Sequence, residues 1–309
     1  MNKIFNKDNL GFGGLQWLYW GGYGTVFPFL VIYLKSKGYN EVATGAVMAS
    51  MVVVSVFAQP FWGSYCDRKR TVRDVLAGCL LASGIITLFI PVAYRSFAAI
   101  ILLVFVISFT ENSMSSLIDS WTVNAARKKT WIDYGLTRGM GSLGFAFTAL
   151  LFGALIDRFG YGLMFPTHLF VIGLFIICCF YVEKRNKFAD VLPEHDSEKK
   201  DHPRFQLKGS GKFLWFLVSS TLVFIGFRAT LTFYPILLSQ RGGNNMDLGL
   251  SIFILALCEA PLFFLSKKIL RRYKDTAVIL TAMVFFIVKI FLHIGVVSVP
   301  GLIAVQATQ

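Results

Sequence analysis

Acidic residues are scarce in this chain. Across 309 residues, Asp and Glu number 17 against 30 Lys and Arg, and only 15% of positions carry a charge. A soluble protein of this length would need polar faces at helical spacing, and the long apolar runs here mostly lack them. The two soluble domains that length alone suggests are therefore excluded. Histidine is sparse, with four copies, and the His, Cys and Ser residues show no triad order that would support an enzyme. Five cysteines (Cys66, Cys79, Cys178, Cys179 and Cys258) lack metal-ligand spacing and lie within or beside apolar segments. Free thiols pack there as small hydrophobes. No metal and no cofactor is expected. The polar, basic start MNKIFNKDNL has no persuasive cleavage site behind it, and the run reaching Leu34 is too long for a signal-peptide core.

What the chain does have is hydrophobic length. Hydrophobic residues make up 55% of it, and phenylalanine alone contributes 31. Runs near or above the ~18 to 20 residues needed to cross a bilayer recur throughout. Spans are expected at about 12–34, 44–62, 75–94, 97–125, 136–156 and 163–182, then at 212–238, 248–266 and 276–297. A tenth begins near Leu302 and is expected to be cut short at Gln309. The chain reads as an all-α polytopic membrane protein. A polar stretch with both charge signs, Pro193 and Pro203 follows the sixth span. The expected organisation is an N-terminal six-helix bundle at 1–182, a linker at 183–211 and an incomplete C-terminal bundle at 212–309.

The net charge of +13 does not indicate nucleic acid, because the basic residues sit in short clusters between apolar runs. That is how membrane topology is written. Alternating sides from a cytoplasmic N-terminus, one side collects Lys3, Lys7, Arg68 to Arg73, Arg127 to Lys129, the linker cations and Lys267 to Lys274. The other side receives only Lys35, Lys37, Arg95, Arg158 and Arg241. The expected placement is the cell (inner) membrane with the N-terminus and linker cytoplasmic. Arg138, Arg228 and Lys289 are left over, inside spans. The two halves also echo each other at one offset, which pairs Pro60 with Pro261, Arg70 with Arg271, Arg73 with Lys274 and Asp74 with Asp275. A parallel repeat joined by a linker is a transporter plan.

The densest polar chemistry lies between Glu111 and Phe145. Asn112 and Asp119 are seven residues apart, two turns along one helical face. After a basic loop, Arg138, Gly141, Ser142 and Phe145 share a stripe on the next helix. Glu111 lies about 80° round from Asp119 and falls outside this group. Charges within a membrane are costly alone and face partners or a wet cavity. Asp119, Arg138 and Asn112 are candidate solute ligands, with Phe145 as a stacking surface. Glu259, Lys289 and Arg228 are candidates for a charge network, Glu259 being tolerable in a span when protonated or paired. His293 is expected near the outer end, solvated. Gly135 and Gly139 read as close-packing positions.

Gly63-x-x-x-Asp67-Arg68, followed by basic residues through Arg73 behind the second span, resembles the loop motif of the major facilitator superfamily. Phe27-Pro28-Phe29, Thr44-Gly45, Gln59-Pro60, Tyr134-Gly135-x-x-Arg138 and Gly144-Phe145 are similar to the lactose permease branch of oligosaccharide:proton symporters. The resemblance implies a fold of two six-helix halves, here truncated within the tenth helix. It implies that Asp119 stands where that branch has a sugar-binding glutamate, and Arg138 at its essential arginine. It places Phe145 at a Trp that stacks on sugar and Lys289 at a coupling arginine. Gly63, Asp67 and Arg68 would form the gating loop. The family's His and Glu on the tenth helix fall beyond Gln309, so the chain is expected to be inactive by itself. Arg70 replaces the motif's usual glycine, and Phe264 and Lys268 replace Gly and Asp in the second copy. Gly153-x-x-x-Asp157-Arg158-x-Gly160 mimics the motif on the wrong side and reads as a plain turn.

The expectation is secondary transport of a small polar solute, a saccharide or nucleoside, by proton-coupled symport. Solute, protons and the bilayer are the expected partners. The alternative is a non-transporting or degenerate relative acting as receptor, scaffold or inactive fragment.

Overall fold

The computed structural model describes residues 6–68, 71–185 and 211–308, and every regular element among them is helical. Most of the expected linker, together with Lys3, Lys69 and Arg70, lies outside the described residues. The helices are α1 (Lys7–Ser36), α2 (Glu41–Arg68), α3 (Val72–Thr87), α4 (Ile90–Ala93), α5 (Phe97–Ile107), α6 (Met114–Lys128), α7 (Tyr134–Phe159), α8 (Met164–Arg185), α9 (Gly211–Gln240), α10 (Asn245–Arg272), α11 (Asp275–Gly295) and α12 (Val299–Val305). Among the described residues, eight segments are long and apolar enough to cross a membrane, counting Val72–Ala93 and Phe97–Lys128 as one each; α1, which holds the first expected span, is long enough but is not one of the eight. Phe57, Phe170, Ile177, Leu222 and Phe291 are exposed, as side chains facing lipid would be.

Two expected spans are interrupted. The third breaks after Thr87 and resumes as α4, whose first turn carries Pro91. Proline has no N–H to give and tolerates only the start of a helix. The fourth span widens into a π turn at Ser108–Asn112 between α5 and α6. Carbonyls there take side-chain donors: the Tyr19 hydroxyl donates to Glu111 O at 3.0 Å, and Trp62 Nε1 to Phe109 O at 2.7 Å. Side chains inserted into the helical ladder in this way hold the turn open.

α1 is the central element. It is 30 residues long and packs on α7 and α8. Its start is fixed by Asn6, whose side chain accepts from Asp8 N and Asn9 N. Asn9 Oδ1 accepts from Asp133 N at 2.9 Å, which pins α1 to the cap of α7. The α1–α7 approach depends on Gly144, where an added Cβ would lie 2.6 Å from Trp17 O.

α7 and α10 run antiparallel along their length. Phe264 rests over Gly139 near one end, Phe147 meets Phe253 edge-on at 5.3 Å midway, and Gly153 meets Asn245 at the other end. Farther out, α9 and α11 stack through Phe227 and Phe286 at 4.3 Å.

Candidate functional site

Arg138 stands at the crossing of three helices. Its guanidinium lies 4.8 Å from the Trp20 ring of α1 and 5.0 Å from the Phe263 ring of α10. A cation over aromatic faces is held by their quadrupoles, and more strongly where water is excluded. Two carboxylates act on it electrostatically, Asp119 from α6 and Glu259 from α10. Glu259 also faces Lys289 of α11, which is 1% exposed. Two acids and two bases thus balance in charge, which is how ionised groups persist in a membrane interior.

Asp119 is oriented by a neutral partner. Gln16 Nε2 donates to Asp119 Oδ1 at 2.7 Å, and Trp20 Nε1 donates to Gln16 Oε1 at 3.1 Å. Gln16 is 1% exposed, so the relay is fixed by packing. The Tyr134 hydroxyl lies beside the same carboxylate. No ion pair within 4.0 Å joins Asp119 to Arg138 among the described residues. The acid is held by Gln16 rather than closed onto the base.

The structure brings Asp119, Arg138, Glu259 and Lys289 into one network. Phe145 joins its edge, 6.4 Å from Trp20 and 6.4 Å from Tyr23. Asn112 is placed differently. It ends the π turn, its Nδ2 reaches Ser108 Oγ at 3.5 Å, and its Oδ1 is buried without a hydrogen-bond partner. No hydrogen bond links it to Asp119 or Arg138 among the described residues. Arg228 is exposed on α9 and acts on the Tyr23 hydroxyl. His293 is buried rather than solvated, between Lys289 O at 2.7 Å and Gln306 Nε2 at 3.0 Å.

Sequence reasoning passed over Gln16, Trp20 and Phe263. The available signal was a Gln four residues before a Trp on a Gly-rich helix, which is weak in a chain this aromatic. Glu111 does not point toward Asp119. It meets Ser83 of α3 and His168 of α8 in a separate buried cluster.

The ends of the bundle differ. At the end bearing most cations, Arg73 pairs with Asp74 at 2.5 Å and Glu183 at 3.2 Å, while Asp8 pairs with Lys129 at 3.2 Å and Arg185 at 3.4 Å. Asp67 and Arg68 are exposed at the end of α2, without an ion pair among the described residues, and Gly63 adjoins open space. At the opposite end, Asp157 of α7 reaches the start of α10. Its Oδ1 accepts from Asn245 N at 3.2 Å and Asn245 Nδ2 at 2.7 Å, and its Oδ2 accepts from Met246 N at 2.8 Å. The stretch that reads as a plain turn is a clasp on a helix N-terminus, where a carboxylate is favoured.

Residues 12–307 match the MFS_1 like family. The chain belongs to that family. This major facilitator protein is 26% identical over 248 residues to the uncharacterized transporter YwbF of Bacillus subtilis (strain 168), covering 78% of the chain and 58% of the relative. It is 26% identical over 265 residues to a maltose permease of Geobacillus stearothermophilus, covering 84% of the chain and 64% of the permease. The chain therefore spans less than two-thirds of either relative's length. In fold it is similar to a crystal structure of the nucleoside transporter NupG, with a TM-score of 0.75 and 18% identity over 98% of this chain and 79% of that one. The multi-pass membrane architecture follows from the family and the apolar helices together.

Proposed function

We propose that this major facilitator protein is a secondary active transporter of a small polar solute, a saccharide or a nucleoside, coupled to protons. The observation that carries the reading is Arg138, a cation contacted by α1 from one part of the chain and α10 from the other. A solute bound there touches both parts, so its occupancy biases their relative movement. Arg138 presents a planar fork to vicinal hydroxyls and Asp119 accepts from them, while Trp20, with Phe145 behind it, supplies the stacking surface. Glu259, between Arg138 and Lys289, is the carboxylate whose protonation changes the charge balance as the site opens and closes. The cation-rich end faces the cytoplasm of the cell (inner) membrane, with Asp67 and Arg68 at its mouth. The maltose permease and the nucleoside transporter among the relatives support a polyhydroxylated solute.

Binding is the first test. The intrinsic fluorescence of the purified chain is titrated with mono- and disaccharides and nucleosides, using Arg138→Ala and Asp119→Asn as controls. A saturable change lost in both variants is expected. No saturable change with any solute overturns the reading; a receptor would bind and is separated from a transporter by the flux measurement.

A further inference from the structure

A second ionisable cluster lies away from Arg138, where α3, the π turn and α8 meet α1. Ser83, Glu111 and His168 are each no more than 1% exposed. The Ser83 hydroxyl donates to Glu111 Oε2. His168 Nε2 lies 3.3 Å from the same oxygen, and His168 Nδ1 lies 3.0 Å from Gly22 O. Thr25 Oγ1 is 3.4 Å from Nδ1 and donates to Gly22 O at 2.7 Å. The π turn, a feature that recurs at functional sites, positions Glu111 here.

The hydrogen-bond roles restrict where protons sit. Gly22 O is only an acceptor, so His168 Nδ1 carries a hydrogen. That leaves Nε2 facing Oε2. If both were bare, two lone pairs would oppose each other across 3.3 Å, and a net negative charge would be buried. No Lys or Arg pairs with Glu111 among the described residues. Among the described residues, the other titratable groups that interact electrostatically with it are the hydroxyls of Tyr19 and Tyr23 of α1, and Tyr19 donates to the Glu111 backbone carbonyl. Among the described residues α3 supplies Ser83 and Thr87, and α2 the indole of Trp62, which donates to Phe109 O. One proton on the line between Nε2 and Oε2 removes the conflict, either as Glu–COOH donating to imidazole or as imidazolium donating to carboxylate.

We propose that Ser83, Glu111 and His168 form a proton-binding site, separate from Glu259 and Lys289, that takes up one proton from water and releases one to it during the transport cycle. The transport role rests on the function proposed above; the binding of the proton does not. On release the pair passes from neutral to singly negative, with no other bond made or broken. The cluster ties α1 to α3 and α8, so the repulsion left behind loosens that packing and links proton occupancy to helix position.

Two measurements in proteoliposomes test it, the first on this chain and the second on the chain extended to the full length of its relatives. The first is a pH titration followed by infrared difference spectroscopy. The expected result is a carboxyl or imidazole protonation signal that is lost in Glu111→Gln and His168→Gln. In Ser83→Ala, which keeps both titrating groups, its midpoint shifts. If all variants titrate as the parent does, the proposal is overturned, whatever the protein transports. The second compares solute exchange, which needs no net proton movement, with proton-driven accumulation. Glu111→Gln is expected to keep exchange and lose accumulation. Accumulation at the parental rate in Glu111→Gln overturns the transport role. Absence of all solute movement in the parent, with the infrared signal intact, refutes the transport reading and leaves the proton site standing.

Discussion

Replacing Asp157 with Ala removes three hydrogen bonds that its carboxylate accepts from the first residues of α10. In a buried site, a hydrogen bond to a charged group contributes about 1.5 to 3 kcal/mol, and a carboxylate at a helix N-terminus about 0.3 to 1 kcal/mol more. Asp157 is exposed, so water takes over most of the lost bonding, and the clasp is worth about 1 to 2 kcal/mol. That corresponds to a shift of roughly 5- to 30-fold in the balance between closed and open forms of this end. Pulsed electron resonance reads the change directly. Spin labels at Gly162→Cys and Arg241→Cys, on opposite sides of the clasp, are measured in a chain whose five cysteines have been replaced. A second, longer distance population is expected in Asp157→Ala, with Asp157→Asn in between because it keeps one acceptor. An unchanged distance distribution in Asp157→Ala would show that the clasp does not hold this end.

Packing gives a sharper perturbation at the same seam. A Cβ at Gly249 would lie 2.4 Å from Ala149 O, and overpacking of this kind costs about 1 to 3 kcal/mol. Gly249→Ala is therefore expected to populate the same long-distance form. Gly144→Ala places a Cβ 2.6 Å from Trp17 O within the α1–α7 contact; a drop in the melting temperature of the detergent-purified protein is expected, with no change in which solutes bind. Arg138→Lys keeps the charge but loses the planar fork and its stacking, so solute affinity falls while expression and melting temperature hold. Trp20→Phe should weaken binding more than Phe145→Leu, because Trp20 holds both Arg138 and Gln16; equal losses in a titration would contradict that ordering.

The helical architecture was legible because a bilayer imposes length and composition on every span. Residues within spans were legible by charge, since Arg138, Asp119, Glu259 and Lys289 are the groups a membrane penalises. Their neutral partners were not. Gln16 and Trp20 are ordinary in an aromatic helix, and only the register of α1 against α6 and α7 makes them the relay behind Asp119. Helical-wheel reasoning assumed a straight fourth span. The π turn at Ser108–Asn112 breaks that assumption, which is why Asn112 could not be assigned from angular spacing, whereas Glu111 does lie apart from Asp119 as its angle indicated. The Asp157 motif was misread for a different cause: a loop motif says nothing of what lies opposite, and its partner is the backbone of α10, which no side-chain pattern announces.

The central claim is that a solute bound at Arg138 moves with protons across the membrane. The most direct measurement is internal pH in dye-loaded proteoliposomes of the chain extended to the full length of its relatives, as each solute is added outside, with labelled solute counted in parallel. The account predicts that one class, saccharide or nucleoside, enters together with internal acidification, and that Arg138→Ala abolishes both signals. Solute entry that leaves internal pH unchanged, or entry and acidification that survive in Arg138→Ala, would contradict it.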